Sequence, residues 1–394
     1  MNIKNARIIG IITVLSYVAN YFLRNMLGVL TPSILNSTSY TKEYIALLSS
    51  TYMVSYAVGH LINGMLGDVF KPRFMVLIGL LVAGISTILF PLTEQRILQI
   101  ICFLVLGYCL SMLRGPLMKI ITENTKPDHA RIICVFFSFS SFAGPLIASF
   151  IAMLFKWKTA FVVAGVLTVM VGIGAYTALH FMEKRDLISV KRIQQVTLSE
   201  MLAVFKIDRI WFYFAISCLS EVSGTPMTFW MPTFFNEYLS LDENTSNLIF
   251  SFIFFVSAII PFIALTVYKL SKERDTLIIK TAFLIAAIAF LFMLIVPKGV
   301  FTMILLLIAR IMNSLVSAIL WSVYVPGLGK TGRVSSVNGI MDFMGYVTAS
   351  IATSVFAFII TTFGWRGLII SWGVFALVGV IVSGHSSNTS YSEA

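Results

Sequence analysis

Long apolar runs recur along the whole chain, separated by short polar connections. About 20 consecutive apolar residues span the hydrocarbon core of a bilayer as an α-helix. Twelve such runs therefore predict twelve transmembrane helices. They cover residues 8–35, 44–66, 74–93, 98–121, 132–154, 159–182, 210–235, 246–269, 276–296, 300–324, 334–362 and 367–385.

The two halves of the chain repeat each other at a spacing of about 200 residues. The sequence TPSILN at 31–36 ends the first run, and MPTFFN at 231–236 ends the seventh. WKTA at 157–160 opens the sixth run, and WRGL at 365–368 opens the twelfth. Parallel six-helix repeats are an architecture of secondary transporters. The sequence thus predicts an all-α membrane protein of two pseudo-symmetric six-helix bundles.

The longest polar stretch separates these bundles. Thr197 and Glu200 fit a capping box, and an apolar stripe follows them. This pattern predicts an amphipathic helix at the membrane surface, with a flexible linker as the alternative. The expected organisation is an N-terminal bundle over 1–182, a cytoplasmic linker over 183–209, a C-terminal bundle over 210–385 and a disordered tail over 386–394.

Composition agrees with a membrane protein, since 58% of the 394 residues are hydrophobic and only 11% are charged. The net charge of +11 does not indicate nucleic-acid binding, because most basic residues lie on the side that holds both termini. By the positive-inside rule that side is cytoplasmic. We therefore expect a multi-pass protein of the cell (inner) membrane with both termini in the cytoplasm.

No cofactor or metal is expected. The four cysteines all lie in predicted spans without a C-x-x-C pair, and the four histidines are scattered. A membrane enzyme would need metal-ligand clusters or paired acids at a membrane surface, and the sequence has neither. We expect a protein that is not an enzyme.

Ionisable residues within a bilayer are costly and usually functional. The predicted spans contain Arg24, His60, Arg114, Glu221, Arg310 and Asp342. Three potential cations, Arg24, His60 and Arg114, fall in the N-terminal half without an intramembrane carboxylate. Guanidinium groups match carboxylate and phosphate, so we predict that Arg24, with Arg114 or His60, binds an anionic substrate. Tyr21 and Tyr56 are expected to line the same site.

Glu221 and Asp342 are the two intramembrane carboxylates. Burial raises a carboxyl pKa, so either residue can carry a proton for coupled transport. An arginine nearby, such as Arg310, would instead hold the acid ionised as a gate. Internal pairing of Arg114 with Glu221, or of Arg310 with Asp342, is the alternative to substrate contact.

The loop GMLGDVFKPR at 64–73, together with the repeat, resembles the signature loop of the major facilitator superfamily. Asp68 and Arg73 match that pattern, whereas Val69 stands where it has an arginine. In that superfamily the aspartate engages a helix end and an arginine. The resemblance implies a cytoplasmic latch formed by Asp68, Arg73 and Arg131.

A closer resemblance is to the organophosphate:phosphate antiporter branch, the glycerol-phosphate and hexose-phosphate transporters. It rests on YFLRN at 21–25, DVFKPR at 68–73 and WMPTFF at 230–235, then on Gly345-Tyr346 and Phe363-Gly364-Trp365. The resemblance implies that Arg24 is one of the branch's two phosphate-binding arginines. Gly224 aligns with the second arginine, His60 with the branch's helix-two lysine and Ser140 with its helix-five histidine.

These observations predict a monomeric secondary transporter of a small organic anion, such as a carboxylate, a sugar acid or a phosphorylated metabolite. Transport would proceed by alternating access at a site lined by helices one, four, seven and ten, with proton coupling or exchange of a counter-substrate. One alternative is a proton-coupled exporter of amphiphilic or cationic compounds. A second is a sensor that binds a solute without moving it.

Overall fold

The computed structural model describes residues 3–125, 127–188, 205, 209–272, 274–324 and 334–385. All regular structure in these ranges is helical, and they contain thirteen α-helices. The helices are α1 (Ile3–Ser37), α2 (Lys42–Val69), α3 (Pro72–Leu89), α4 (Arg96–Ser111), α5 (Arg114–Asn124), α6 (Pro127–Leu154), α7 (Trp157–Lys184), α8 (Ile210–Thr233), α9 (Glu243–Ser257), α10 (Ile260–Leu270), α11 (Asp275–Met293), α12 (Val300–Ile319) and α13 (Val334–His385).

The described helices account for the predicted twelve spans. Nine helical stretches in these ranges are long and apolar enough to cross a membrane. The stretch within α13 covers the eleventh and twelfth predicted spans, and the other eight stretches each correspond to one predicted span. The fifth and seventh predicted spans correspond to α6 and α8. The prediction of an all-α, twelve-helix membrane protein is confirmed.

Two predicted spans are each divided by a proline. Pro116 lies in the first turn of α5, directly after the break that separates it from α4. Pro261 lies in the first turn of α10, directly after the break that separates it from α9. A proline ring clashes with the carbonyl four residues earlier and cannot donate to it. Those carbonyls belong to Met112 and Ser257, where the first helix of each pair ends. As a result Arg114 lies at the start of α5 and not within one continuous helix.

The long helix α13 is broken at Gly364, between the last two predicted spans. Its φ of 67° and ψ of −172° lie in a region that residues with a side chain rarely adopt. The backbone leaves the helical conformation there, so one helical run forms two membrane-crossing segments. The glycine thus supplies the turn that the sequence predicts between 362 and 367.

The chain divides into two compact units. Unit 1 comprises Met1–Val196 with Glu243–Ser251, and unit 2 comprises Thr197–Asp242 with Phe252–Ala394. In unit 1, α1 packs against α6, α2 against α4, and α3 against α7. In unit 2, α13 packs against α8 and α11, and α11 against α12. Of the predicted linker helix only residue 205 is described, and the predicted tail lies outside the described residues. The predicted domain boundaries stay a prediction.

Apolar side chains lie on the exposed faces of the described helices as well as on the faces that are buried between them. Phe150, Met170 and Phe358 are each more than half exposed, as expected of side chains that face lipid. Several buried hydroxyl groups donate to a carbonyl of their own helix; for example, Ser16 Oγ donates to the Ile12 carbonyl at 2.7 Å. Such bonds satisfy polar groups where no water is available.

Candidate substrate-binding and coupling sites

The Arg24 guanidinium lies between two tyrosine rings in unit 1. Its central carbon is 5.6 Å from the centroid of the Tyr21 ring and 5.8 Å from that of the Tyr56 ring. Tyr21 precedes Arg24 by almost one turn of α1, and Tyr56 comes from α2. Rings at this distance attract a guanidinium through its positive charge. The two tyrosines therefore help to fix a half-buried charge within a membrane helix.

His60 connects this pair to Arg114. The His60 and Tyr56 rings are perpendicular, with centroids 4.4 Å apart. The positive charges of both Arg24 and Arg114 act on the His60 imidazole. The structure thus brings the five predicted substrate-binding residues together in unit 1, where Arg24 and Arg114 supply positive charge that favours an anion.

Two further polar residues, which the sequence analysis missed, belong to this cluster. Asn20 is buried, and its Nδ2 donates to the Leu110 carbonyl at 3.0 Å, at the end of α4. The Asn20 Oδ1 atom and the Tyr52 hydroxyl are buried without a hydrogen-bond partner among the described residues. Each precedes a predicted site residue, Arg24 or Tyr56, by one helical turn, and that spacing was the available signal.

In unit 2, Glu221 and Arg310 form a charge cluster between α8 and α12. Thr225, one turn after Glu221, donates from Oγ1 to the carboxylate Oε2 at 2.7 Å. The Glu221 charge acts on the Arg310 guanidinium. The guanidinium carbon lies 5.2 Å from the centroid of the Phe254 ring. The structure brings together two of the three predicted coupling residues.

The predicted pairing of Arg310 with Asp342 is not found. Arg310 forms no ion pair within the described ranges. Asp342 is half-buried on α13, three residues before Gly345. A Cβ at Gly345 would lie 2.8 Å from Glu221 Cγ, so Glu221 packs directly against the α13 backbone. Glu221, and not Asp342, is the carboxylate whose charge reaches Arg310. Arg114 and Glu221 belong to different units, and their pairing stays a prediction.

Arg73, predicted as part of a cytoplasmic latch, is bound to α7 of its own unit. Its Nη1 atom lies 2.8 Å from Glu183 Oε2 and 2.9 Å from His180 Nδ1. The start of α3 and the end of α7 meet here, because the two helices pack against each other. The side chains of Asp68 and Arg131 lie outside the described residues, so their part of the latch stays a prediction.

The described residues contain no group of three or more histidine, cysteine or acidic side chains placed to hold a metal ion. The four cysteines, at positions 102, 109, 134 and 218, are free thiols that are buried or half-buried within helices. The candidate sites can therefore bind a ligand through charge and hydrogen bonds. Unit 1 supplies two arginines and a histidine, and unit 2 supplies a glutamate and an arginine.

Comparison with protein families gives a match over most of the chain. The profile described as Major Facilitator Superfamily matches residues 13–353. The chain has a TM-score of 0.82 and 13% sequence identity, over 100% of both chains, to a bacterial homologue of the human lysosomal transporter Spinster in an inward-facing and occupied conformation. At this identity the likeness shows the fold alone.

Two curated relatives share a shorter segment. The chain is 22% identical over 163 residues to a "Probable hexose phosphate transport protein" of Chlamydia pneumoniae, covering 40% of this chain and 36% of that protein. It is 25% identical over 174 residues to the "Membrane sensor protein UhpC" of Salmonella typhimurium, covering 40% of this chain and 37% of that protein. The match spans little more than a third of the length of either relative.

Proposed function

Because this chain belongs to the Major Facilitator Superfamily, whose profile matches residues 13–353, we propose that it is a secondary active transporter of a small organic anion. Members of this family are membrane transporters and not enzymes, and the chain is a multi-pass membrane protein. The cell (inner) membrane, the cytoplasmic termini and the monomeric state belong to the proposal, and the uneven distribution of basic residues supports the orientation.

The observation that carries the proposal is the arrangement around Arg24. A guanidinium in the middle of a membrane helix lies between the Tyr21 and Tyr56 rings, and Arg114 adds a second positive charge that acts, as Arg24 does, on His60. A guanidinium binds carboxylate or phosphate through two parallel hydrogen bonds. An anionic cargo would therefore offset charges that are otherwise costly at this depth.

Phosphorylated sugars are the first class of cargo to test. The name of the chlamydial relative, a probable hexose phosphate transport protein, supports this choice. The buried Asn20 carbonyl oxygen and Tyr52 hydroxyl near Arg24 also support it, because such groups can bind the hydroxyls of a sugar. Carboxylates and sugar acids remain within the proposed class.

Coupling is proposed to involve unit 2. Glu221 is a half-buried acid held by Thr225, and its charge acts on Arg310. Protonation of this acid would allow a proton to move with the cargo. Alternatively, exchange for a counter-substrate such as inorganic phosphate would drive transport through the gradient of that counter-substrate. Asp342 on α13 stays a second candidate for proton coupling.

Uptake of labelled anions into proteoliposomes tests the proposal. The panel contains glucose 6-phosphate, glycerol 3-phosphate, gluconate and a dicarboxylate, with and without a pH gradient or internal phosphate. Arg24→Ala should reduce uptake of the accepted anion about tenfold or more, because hydrogen bonds to charged groups contribute about 1.5–3 kcal/mol.

Arg7 provides the matched control, since it lies exposed on the same helix, α1. Arg7→Ala should transport like the wild type. Arg24→Ala with unchanged uptake of every anion accepted by the wild type would refute the proposed role of Arg24. A wild-type protein that accepts cationic compounds and no anion would favour the exporter instead.

A solute sensor is the second candidate, favoured by the similarity to a membrane sensor protein of Salmonella typhimurium. A sensor would bind glucose 6-phosphate without moving it. Counterflow separates the two functions: a transporter accumulates labelled sugar phosphate in liposomes preloaded with unlabelled compound, and a sensor does not, although both bind it in detergent.

A further inference from the structure

We propose that Arg310 and Asn313 on α12 form a second anion-binding position, which takes a phosphate or carboxylate group. The inference rests on the proposed anionic cargo, and it concerns residues of unit 2, whereas the Arg24 cluster belongs to unit 1. The anion can be part of the cargo or a counter-substrate such as inorganic phosphate.

Arg310 lies at bilayer depth. It is the eleventh of the 20 residues of α12, which places it about 15 Å from the start of the helix at 1.5 Å per residue. A charge in the middle of a membrane helix is expensive and usually faces a partner, a cavity or a substrate. The question is therefore which group compensates this guanidinium.

The described residues compensate it only in part. Arg310 forms no ion pair within them, and its Nε atom is buried without a hydrogen-bond acceptor. Phe254 contributes its ring at 5.2 Å. Glu221 acts on Arg310 through its charge, but one oxygen of its carboxylate already accepts a hydrogen bond from Thr225. A guanidinium has five N–H donors, so acceptors for it are in short supply.

A second donor lies beside the guanidinium. Asn313 follows Arg310 by three residues of α12, and Ser220 donates to its Oδ1 atom at 3.3 Å. The Asn313 Nδ2 atom then points toward Gly224, where a Cβ would come within 2.6 Å of it and within 3.8 Å of Arg310 Nη1. An amide N–H and a guanidinium almost one turn apart on the same helix suit an oxyanion.

Glu221 has a defined role in this arrangement. Among the described residues, the Glu221 carboxylate is the negative charge that acts on Arg310. A bound phosphate or carboxylate would compete with Glu221 for the same guanidinium, since like charges repel at close range. Removal of the Glu221 charge should consequently strengthen anion binding, and this effect should require Arg310.

Equilibrium binding to the purified full-length protein in detergent tests the inference, with radiolabelled glucose 6-phosphate and inorganic phosphate as separate probes. Arg310→Gln should weaken binding of one or both probes about tenfold or more. Glu221→Gln should tighten binding several-fold, and it should have no such effect when combined with Arg310→Gln. Arg366→Gln is the matched control, because Arg366 is an exposed arginine of the same unit; it should bind within about twofold of the wild type.

The two probes identify the source of the anion. Weakening of both probes by Arg310→Gln supports a position for the cargo, and weakening of phosphate alone supports a position for the counter-substrate. Wild-type affinity of Arg310→Gln for both probes, with an unchanged melting temperature, would overturn the inference. So would weaker binding in Glu221→Gln.

Asn313→Asp covers the case in which Arg310→Gln does not fold. It places a carboxylate beside the guanidinium, which should occupy the position and abolish binding, and unchanged binding would overturn the inference. Arg24→Gln separates the two proposals. Loss of binding in Arg24→Gln but not in Arg310→Gln would overturn only the second position, whereas a wild-type protein that binds neither probe and none of the anions of the uptake panel would overturn both.

Discussion

Gly224→Ala tests the packing around Arg310 with the smallest possible change. A Cβ at this position would lie 2.6 Å from Asn313 Nδ2, about 0.8 Å closer than the 3.4 Å at which ordinary contact begins. The Asn313 amide would have to move. Because Ser220 donates to that amide at 3.3 Å, the displacement also lengthens or breaks this hydrogen bond.

The expected loss of stability follows from three contributions. Overpacking of an interior costs about 1–3 kcal/mol. Loss of the Ser220–Asn313 hydrogen bond costs about 1 kcal/mol. Alanine is preferred over glycine within a helix by about 0.5–1 kcal/mol, which acts in the opposite direction. We therefore expect Gly224→Ala to lower the free energy of unfolding by about 1–3 kcal/mol.

The assay is equilibrium unfolding of the purified protein in mixed micelles, followed by tryptophan fluorescence. Gly174→Ala on α7 is the control, because a Cβ there would meet no atom within 4 Å, and it should be neutral or slightly stabilising. Combining Gly224→Ala with Asn313→Ala should cost less than the sum of the single changes, since the overlapping amide is gone. The reasoning is refuted if Gly224→Ala is as stable as Gly174→Ala, or if the two changes are additive.

Three further predictions concern other parts of the molecule. Tyr56→Leu should weaken binding of glucose 6-phosphate about fivefold, because the ring beside Arg24 contributes about 1 kcal/mol, while Tyr56→Phe keeps the ring and should bind within about twofold of the wild type; equal losses would assign the effect to the hydroxyl. Gly364→Ala should lower the free energy of unfolding by about 1–3 kcal/mol, since alanine is strained at a φ of 67° and a ψ of −172°, and unchanged stability would contradict this reading of the kink. Arg73→Gln and Glu183→Gln should show a coupling of about 0.5–1 kcal/mol in a double-mutant cycle of unfolding, with additivity as the contrary result.

The helices and their number could be predicted from the sequence because membrane insertion depends on local hydropathy. The predicted sixth span, 159–182, differs by two residues at each end from the observed α7, Trp157–Lys184. Even the interruption between the last two spans lies where Gly364 breaks α13. The division of the fourth span depends on how Pro116 is accommodated, and for that reason the position of Arg114 at a helix start was not foreseen.

The candidate sites were predictable in their charges but not in their contacts. Charged residues stand out in an apolar sequence, so Arg24 and Glu221 could be identified from the sequence alone. The arginine on which the Glu221 charge acts, Arg310, lies 89 positions away on another helix, and hydropathy gives no information on such a long-range interaction. Neutral polar residues such as Asn20 and Asn313 resemble the many serines and threonines that only satisfy their own helix.

The central claim is that charge at bilayer depth selects an anionic cargo. Equilibrium binding of radiolabelled glucose 6-phosphate and of uncharged glucose, to the wild type and to Arg24→Gln, tests it most directly. We expect the wild type to bind the phosphorylated sugar at least tenfold more tightly than glucose, and Arg24→Gln to lose most of that difference. Equal affinity of the wild type for both sugars, or full discrimination in Arg24→Gln, would contradict the claim.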